Sequence, residues 1–215
     1  MLDAACGNGF DAIALHRRGF RVTGVDASAL MLDEARRRLR AERRDVVLES
    51  CTWDELPTRF AAGSFDAVLC TGNSIAHLRS KEEMVSALRS FAGVLVPDGV
   101  VILDTHHWEE MERLGDHTLV DPVVVEREGA RCVRTYAWRR AVHEDGRPWR
   151  LDLGLEIRRA GGCQERHFEV ELYPFSVGEL RDRLRASGFT RISIDAAPDD
   201  DRYSAVARLP GGLPQ

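Results

Sequence analysis

The chain opens on Leu2-Asp3-Ala4-Ala5-Cys6-Gly7-Asn8-Gly9, an apolar run that enters a tight glycine turn and leaves it as a helical pattern. Glycine belongs there because a side chain would block a ligand from approaching the backbone and the positive end of the following helix. A strand, a turn of this kind and a helix begin a βαβ unit, so the chain is directed toward a parallel sheet with helices on its faces. The rest of the first half agrees: strand-like runs at 1–5, 21–26, 46–50, 65–70 and 100–105 alternate with helical patterns at 11–18, 30–43 and 82–95. In the second helix Leu32, Ala35 and Leu39 share a stripe, with Asp33/Arg37 and Glu34/Arg38 as i,i+4 pairs on the outer side. Ser80 with Glu83 predicts a capping box, and Pro97-Asp98-Gly99 is expected to stop that helix before the next strand.

The pattern then changes to period 2. Trp149, Leu151, Leu153, Leu155 and Ile157 alternate with Arg150, Asp152, Gly154, Glu156 and Arg158, a strand with one buried face. Residues 131–143 and 166–173 alternate in the same way, with turns expected at Asp145-Gly146 and Gly161-Gly162. After them Ser176-x-x-Glu179 caps a helix that ends at Gly188, followed by strands at 189–195 and 203–209. The expected organisation is an α/β core at 1–117, an antiparallel insertion at 118–175 acting as a substrate lid, a returning helix and two strands at 176–209, and a disordered tail at 210–215.

At 215 residues the chain can bury a core without disulfides or a structural metal. Its net charge of −5 argues against a dedicated binder of nucleic-acid backbone. No apolar run approaches the roughly 18 residues of a membrane span and no cationic leader opens the chain, so neither a membrane nor a conventionally secreted protein is expected. Five cysteines without a CxxC pair speak against a zinc site or a disulfide framework and fit a reducing cytoplasm.

Gly7-x-Gly9-x-x-Ala12 also fits a dinucleotide fingerprint, which alone is weak. Asp3 favours another ligand, because a carboxylate there would oppose a pyrophosphate but suits a cation. Val25-Asp26 ends the second strand with a carboxylate able to accept both hydroxyls of a ribose. With these residues in place, the span from Leu2 to about Thr105 resembles the class I S-adenosylmethionine-dependent methyltransferases, and within them the glycine and sarcosine N-methyltransferases. Three stretches carry the resemblance: Asp3-Ala4-Ala5-Cys6-Gly7-Asn8-Gly9-Phe10-Asp11, then Val25-Asp26-Ala27-Ser28 with Met31-Leu32, and Cys70-Thr71-Gly72-Asn73-Ser74-Ile75-Ala76-His77-Leu78. The last is similar to that family's Gly-Asn-Ser-Phe-Ala-His-Leu segment and is not a general methyltransferase motif. Thr52-Trp53 matches the family's Asn-Trp pair at the adenine.

The resemblance implies a Rossmann-like, seven-stranded sheet in the order 3-2-1-4-5-7-6 with an antiparallel β insertion, and S-adenosylmethionine as the cofactor. Ala5, Gly7 and Gly9 would line its methionine and ribose parts and Asp26 the ribose hydroxyls. Met31 and Trp53 would face the adenine and Thr71 the sulfonium, with Asp3, Ala27 and Thr52 completing the set. Asn73 and His77 would face the acceptor: the amide carbonyl can orient an amine lone pair, and the imidazole can hold a carboxylate or take a proton.

One departure matters. The family places an arginine after the fifth strand to clamp an amino acid carboxylate, and this chain reads Asp104-Thr105-His106-His107-Trp108. Histidine lacks the bidentate fork of a guanidinium, so glycine is not the expected acceptor. His106 and His107 are instead candidate bases for a hydroxyl or a less basic amine, and His77 or His106 is the candidate base for an O- or C-nucleophile. Adjacent histidines at a strand end point apart, so no metal is expected. The chain also lacks the Asn-Pro-Pro-Tyr or Asp-Pro-Pro-Tyr used on nucleic-acid bases, so neither DNA nor RNA is expected as substrate.

The expected activity is methyl transfer to a small molecule, most readily an amine. O- or C-methylation of a small metabolite, and a cofactor-binding protein without turnover, stay open as alternatives. A nicotinamide-dependent oxidoreductase would explain the glycines but not Asp3 or the Gly72–Leu78 segment. Because the first strand of this fold ordinarily starts earlier, a version extended upstream is expected to be more stable and to bind cofactor more tightly.

Overall fold

The strand that carries Asp3 lies in the middle of the larger sheet. In this computed structural model, which describes all residues except 122–123, 128, 141–147, 198–199 and 212–215, β1 (Leu2–Asp3) pairs in parallel with β2 (Thr23–Asp26) and with β4 (Phe65–Cys70). Beyond them lie β3 (Val47–Ser50) and β5 (Leu95–His106), and β12 (Arg202–Arg208) and β11 (Thr190–Asp195) close the far edge in antiparallel sense. The order β11-β12-β5-β4-β1-β2-β3 is the expected Rossmann-like one. Between the strands run α1 (Phe10–Arg17), α2 (Ala29–Glu42), the single turn α3 (Leu56–Arg59) and α4 (Lys81–Val94).

Burial explains why these runs are strands. Leu2, Val25, Val68 and Leu103 are fully enclosed, as residues of a sheet covered on both faces must be. The β1 ladder continues past its two paired residues, with Ala4 N–H donating to Leu69 C=O at 2.7 Å and Cys6 N–H to Val25 C=O at 3.0 Å. In α2 the stripe of Leu32, Ala35 and Leu39 is buried as expected. Its outer pairs differ in part: Arg36 takes Asp33 and Arg37 takes Glu34 at i,i+3, while Arg38 meets Glu34 at i,i+4. Such exposed pairs weigh little, so the exchange leaves the helix unchanged.

At α4 the Ser80 hydroxyl accepts the Glu83 N–H at 3.0 Å. The helix ends at Val94 and β5 begins at once, running through Pro97-Asp98-Gly99 where a stop was expected. Asp98 adopts φ 62°, and the register with β4 shifts between Phe65↔Leu95 and Ala67↔Val100, so the extra residues form a bulge within the strand.

The chain forms two compact units: residues 1–75, 80–107 and 176–215 make the first, and residues 76–79 with 108–175 the second. In the first, α6 (Val177–Ala186) begins in a full capping box, Glu179 N–H donating to Ser176 Oγ and Ser176 N–H to Glu179 Oε2. The second holds α5 (Trp108–Leu114) and an antiparallel sheet of β6 (His117–Val120), β7 (Val125–Arg127), β8 (Ala130–Arg140), β9 (Trp149–Arg159) and β10 (Gly162–Leu172). Its path is β10-β9-β8-β6, with β7 paired to β8. Trp108 meets Trp138 edge-on, and the Trp149 indole donates to Glu112 at 2.7 Å. The turn that joins β9 to β10 is Ala160-Gly161, one residue earlier than expected, because Gly162 already pairs with Arg159; the one expected at Asp145-Gly146, and residues 212–215 of the expected tail, lie outside the described residues. Four short elements, α3, α5, β6 and β7, had no periodicity long enough to read.

Candidate active site

The carboxyl ends of the parallel strands share one edge, where sheets of this type bind ligands. There Gly7 and Gly9 take φ 50° and 80°, in the left-handed region. A Cβ on Gly9 would lie 3.0 Å from the Ala35 Cβ, and one on Gly7 3.2 Å from the Met31 Cε. The start of α1 therefore packs closely on α2, while Met31, 41% exposed, overhangs the turn. Asp26 accepts the Gly7 N–H on Oδ2 and the Ser28 N–H on Oδ1, each at 2.8 Å. That occupies two of about four lone-pair sites and leaves room for a pair of hydroxyls. Holding the glycine turn is a second task for Asp26 that its position in the sequence did not reveal.

Ala27 and Thr52 are exposed beside this turn's supporting strands, and the Thr52 N–H donates to Glu55 Oε2 at 2.9 Å. Half-buried Trp53 donates its indole N–H to the Ala4 C=O at 2.6 Å and meets Phe91 edge-on at 5.5 Å. The indole N–H is thus committed to the protein, and what Trp53 can offer a ligand is ring surface. Thr71 donates its hydroxyl to Asp11 Oδ2 at 2.8 Å, which ties the end of β4 to the first turn of α1.

Asp3 is 1% exposed, and neither of its oxygens has a partner in hydrogen-bonding geometry among the described residues. Burial first, then the neighbouring Asp11 and Asp26 carboxylates, push its pKa up to about 7, although the nearby Ala5 and Ala12 amides oppose the rise. A buried acid beside two others is a place for a cation. Cys6, next to the turn, is pushed up to about 12 by burial and by the Asp3 and Asp26 carboxylates, so it is an inert thiol.

After β4, Gly72 and Asn73 take φ 69° and 68° in succession. Asn73 is buried, and its Oδ1 accepts the Thr105 hydroxyl at 2.7 Å and the His106 N–H at 3.2 Å. The His106 N–H can only donate, which identifies that atom as the oxygen. The carbonyl expected to orient an amine therefore holds the turn, and the Asn73 NH₂ is the end left for a ligand. Asp104 supports the same turn, its Oδ1 accepting the Gly72 N–H at 3.0 Å and its backbone C=O the Asn73 N–H at 3.2 Å.

His106 has Nδ1 3.4 Å from the Asp201 C=O and Nε2 3.5 Å from Nη1 of Arg202. A guanidinium only donates, so Nε2 accepts and the proton sits on Nδ1. Burial, with Arg202 second, lowers His106 to about 4. His107 turns elsewhere, its ring edge-on to Tyr203 at 5.7 Å. His77 ends the 3₁₀ turn Ser74–His77, and partial burial lowers its pKa. Arg202 escaped the sequence reading, and Asp104 and Asp11 stand in the quoted stretches without the hydrogen-bonding roles found here. The signal for Arg202 is topological: β12 runs antiparallel to β5, so the residue entering β12 stands opposite His106.

Residues 1–99 match the methyltransferase domain family. The glycine/sarcosine N-methyltransferase of Aphanothece halophytica is 31% identical over 195 residues, 90% of this chain and 67% of that protein. The glycine N-methyltransferase of Oryctolagus cuniculus is 35% identical over 202 residues, 87% of this chain and 68% of that one. The chain belongs to the S-adenosylmethionine-dependent methyltransferases. Among solved structures, Streptomyces venezuelae DesVI shares 25% identity at a TM-score of 0.81, over 98% of this chain and 83% of that one. S-adenosylmethionine-bound CalS10, an amino pentose methyltransferase from Micromonospora echinaspora, shares 26% at 0.78, over 96% and 81%.

This methyltransferase uses S-adenosylmethionine, and its own residues suit that molecule. The unpartnered Asp3 matches an ammonium, the spare lone pairs of Asp26 match a ribose diol, and the bare backbone at Gly7 permits close approach. Among the described residues no group of three or more His, Cys, Asp or Glu could hold a metal, and no helix is long and apolar enough to cross a membrane.

Proposed function

We propose that this enzyme methylates the nitrogen of a small amine. The observation that carries the reading is the state of His106: its Nε2 lone pair faces the Arg202 guanidinium and its pKa is held at about 4, which makes it a poor base at neutral pH. A hydroxyl or carbon acceptor needs a strong base in the site; an amine with a free lone pair needs little more than alignment with the bond to be broken. Both relatives described above are named N-methyltransferases, and CalS10 is named for an amino sugar.

In this reading Asp3, Ala5, Gly7 and Gly9 hold the methionine part of the cofactor, Asp26 and Ala27 its ribose, and Met31, Thr52 and Trp53 its adenine. Thr71 lies toward the sulfonium, whose electrophilic methyl is the chemistry the cofactor supplies. Asn73 offers its NH₂ to the acceptor and His77 contacts it, while His106 serves as a neutral wall that positions Asn73 through its backbone N–H. A panel of small amines, amino sugars and matched hydroxyl compounds, incubated with isotopically labelled S-adenosylmethionine and analysed by mass spectrometry, tests it. Label on nitrogen is expected; label found only on oxygen or carbon sinks the reading.

A further inference from the structure

The acceptor edge carries an ion pair to which the reaction as described assigns no role. Arg202, at the start of β12, stands opposite His106 in the antiparallel register. Its Nε donates to Asp104 Oδ2 at 3.2 Å and its Nη2 to Oδ1, so both parallel N–H groups of the fork lie on one carboxylate. Asp104 Oδ1 also accepts the Gly72 N–H, which places the pair against the turn that carries Asn73. The two side chains are 33% and 31% exposed, so the pair is open on one side.

A guanidinium on this edge is what an acceptor with a carboxylate tail would use, because its planar fork matches a carboxylate in charge and geometry. Here an internal carboxylate already fills that fork. A substrate carboxylate would have to displace Asp104 and leave it unpaired beside a second negative charge, which is costly in a half-buried site. The pair presents no net charge to an acceptor.

We propose that Asp104 stands in for a substrate carboxylate on Arg202, so that the site accepts amines with uncharged tails and rejects amino acids with a free carboxylate. Asp104 is thereby a specificity-determining residue and Arg202 a concealed carboxylate receptor. This rests on amine methylation as proposed above, and two measurements separate the failures.

The first needs no turnover: acetate is titrated by calorimetry into protein saturated with S-adenosylhomocysteine. Asp104→Asn keeps an acceptor for the Gly72 N–H but removes the charge. Acetate is expected to bind this variant at least tenfold more tightly than the unaltered enzyme, and the gain is lost in Asp104→Asn combined with Arg202→Gln. Equal acetate binding by the Asp104→Asn variant and the unaltered enzyme overturns the proposal.

The second compares glycinamide with glycine, which have a neutral and a charged tail, with kcat/KM expressed per unprotonated amine because the two amines differ in basicity. The unaltered enzyme is expected to favour glycinamide by at least tenfold in kcat/KM, and Asp104→Asn to narrow or invert that ratio. Glycine turned over as well as glycinamide by the unaltered enzyme overturns the proposal even if every variant fails to fold. If no amine in the panel is turned over, the N-methylation reading falls, while acetate binding still decides whether Asp104 occupies Arg202.

Discussion

The two ends of the site are built differently. At the cofactor end the groups that shape the glycine turn come from one βαβ unit: Gly7 and Asp26 are 19 residues apart, and Asp26 reaches Ser28 two residues on. At the acceptor end the turn at Gly72-Asn73 is held by Thr105 and Asp104, 32 residues away, and Asp104 in turn by Arg202, 98 residues further along. The first arrangement is local and backbone-centred; the second is a chain of side chains from two strands and the turn after a third. The contrast predicts that changes at one end leave the other nearly untouched, as expected of groups that share no partners.

The largest test of that separation is Asp26→Ala. It removes both amide contacts of the turn together with the expected ribose contacts, each charge-assisted bond contributing about 1.5–3 kcal/mol, so cofactor affinity should fall roughly a hundredfold or more. Calorimetry on the folded variant decides it, and unchanged affinity would remove Asp26 from the site. Asp3 makes the same end pH-sensitive. Its folded pKa of about 7 lies above the unfolded value of 3.8, so the free protein retains a proton that the unfolded chain loses. That contribution to stability is complete below about pH 3.8 and is lost as pH rises through about 7. A cation binding beside Asp3 favours the ionised form, so cofactor affinity should rise up to about tenfold per pH unit approaching 7 and then level off. Asp3→Asn should flatten that slope; a slope that survives the substitution assigns the proton to another group.

At the acceptor end Asn73→Ala leaves the Thr105 hydroxyl and the His106 N–H without their acceptor, a loss of about 1–3 kcal/mol for a buried group. The expected signature is a kcat reduced about tenfold with cofactor affinity within about threefold of the original, the two ends being uncoupled. A parallel loss of cofactor binding would break the comparison. A smaller effect is expected from Arg202→Gln on His106, read by its imidazole resonances during a pH titration. The pKa should rise from about 4 but stop short of the ordinary 6.5, because burial is the larger cause and persists. The smallest is His106→Arg, which places an unmatched guanidinium on the same edge. It should improve glycine a few-fold relative to uncharged amines, and no change in that ratio would show that position 106 does not face the acceptor's tail.

Much of this was legible beforehand. The parallel α/β alternation, the glycine turn and Asp26 at the end of β2 follow from patterns within a few tens of residues, whereas the strand order came through the family resemblance. The capping residues Ser80 and Ser176 and the buried stripe of α2 were readable for the same reason, since a helix presents its neighbours at fixed spacing. The path of β5 through Pro97-Asp98-Gly99 was not, because a bulge is defined only against the strand it pairs with. Nor was the state of Asn73 and His106: residue type shows that a carbonyl or an imidazole is present, but only the neighbours show whether its lone pairs are free.

By itself, then, the order of residues determined a parallel α/β sheet, a turn shaped for close backbone approach, and carboxylates at Asp3 and Asp26 suited to a cation and a diol. These depend on short-range geometry: periodicity, positive φ at Gly7 and Gly9, and a carboxylate on the last residue of a strand. Tertiary structure alone decided that Asp3 is buried without a partner, that Asn73 turns its carbonyl inward, and that Arg202 reaches the acceptor edge and is neutralised by Asp104. Each of those depends on a pairing register between distant strands, which brings charges together or apart through a few ångströms of packing, and electrostatic energies change most steeply over just that distance.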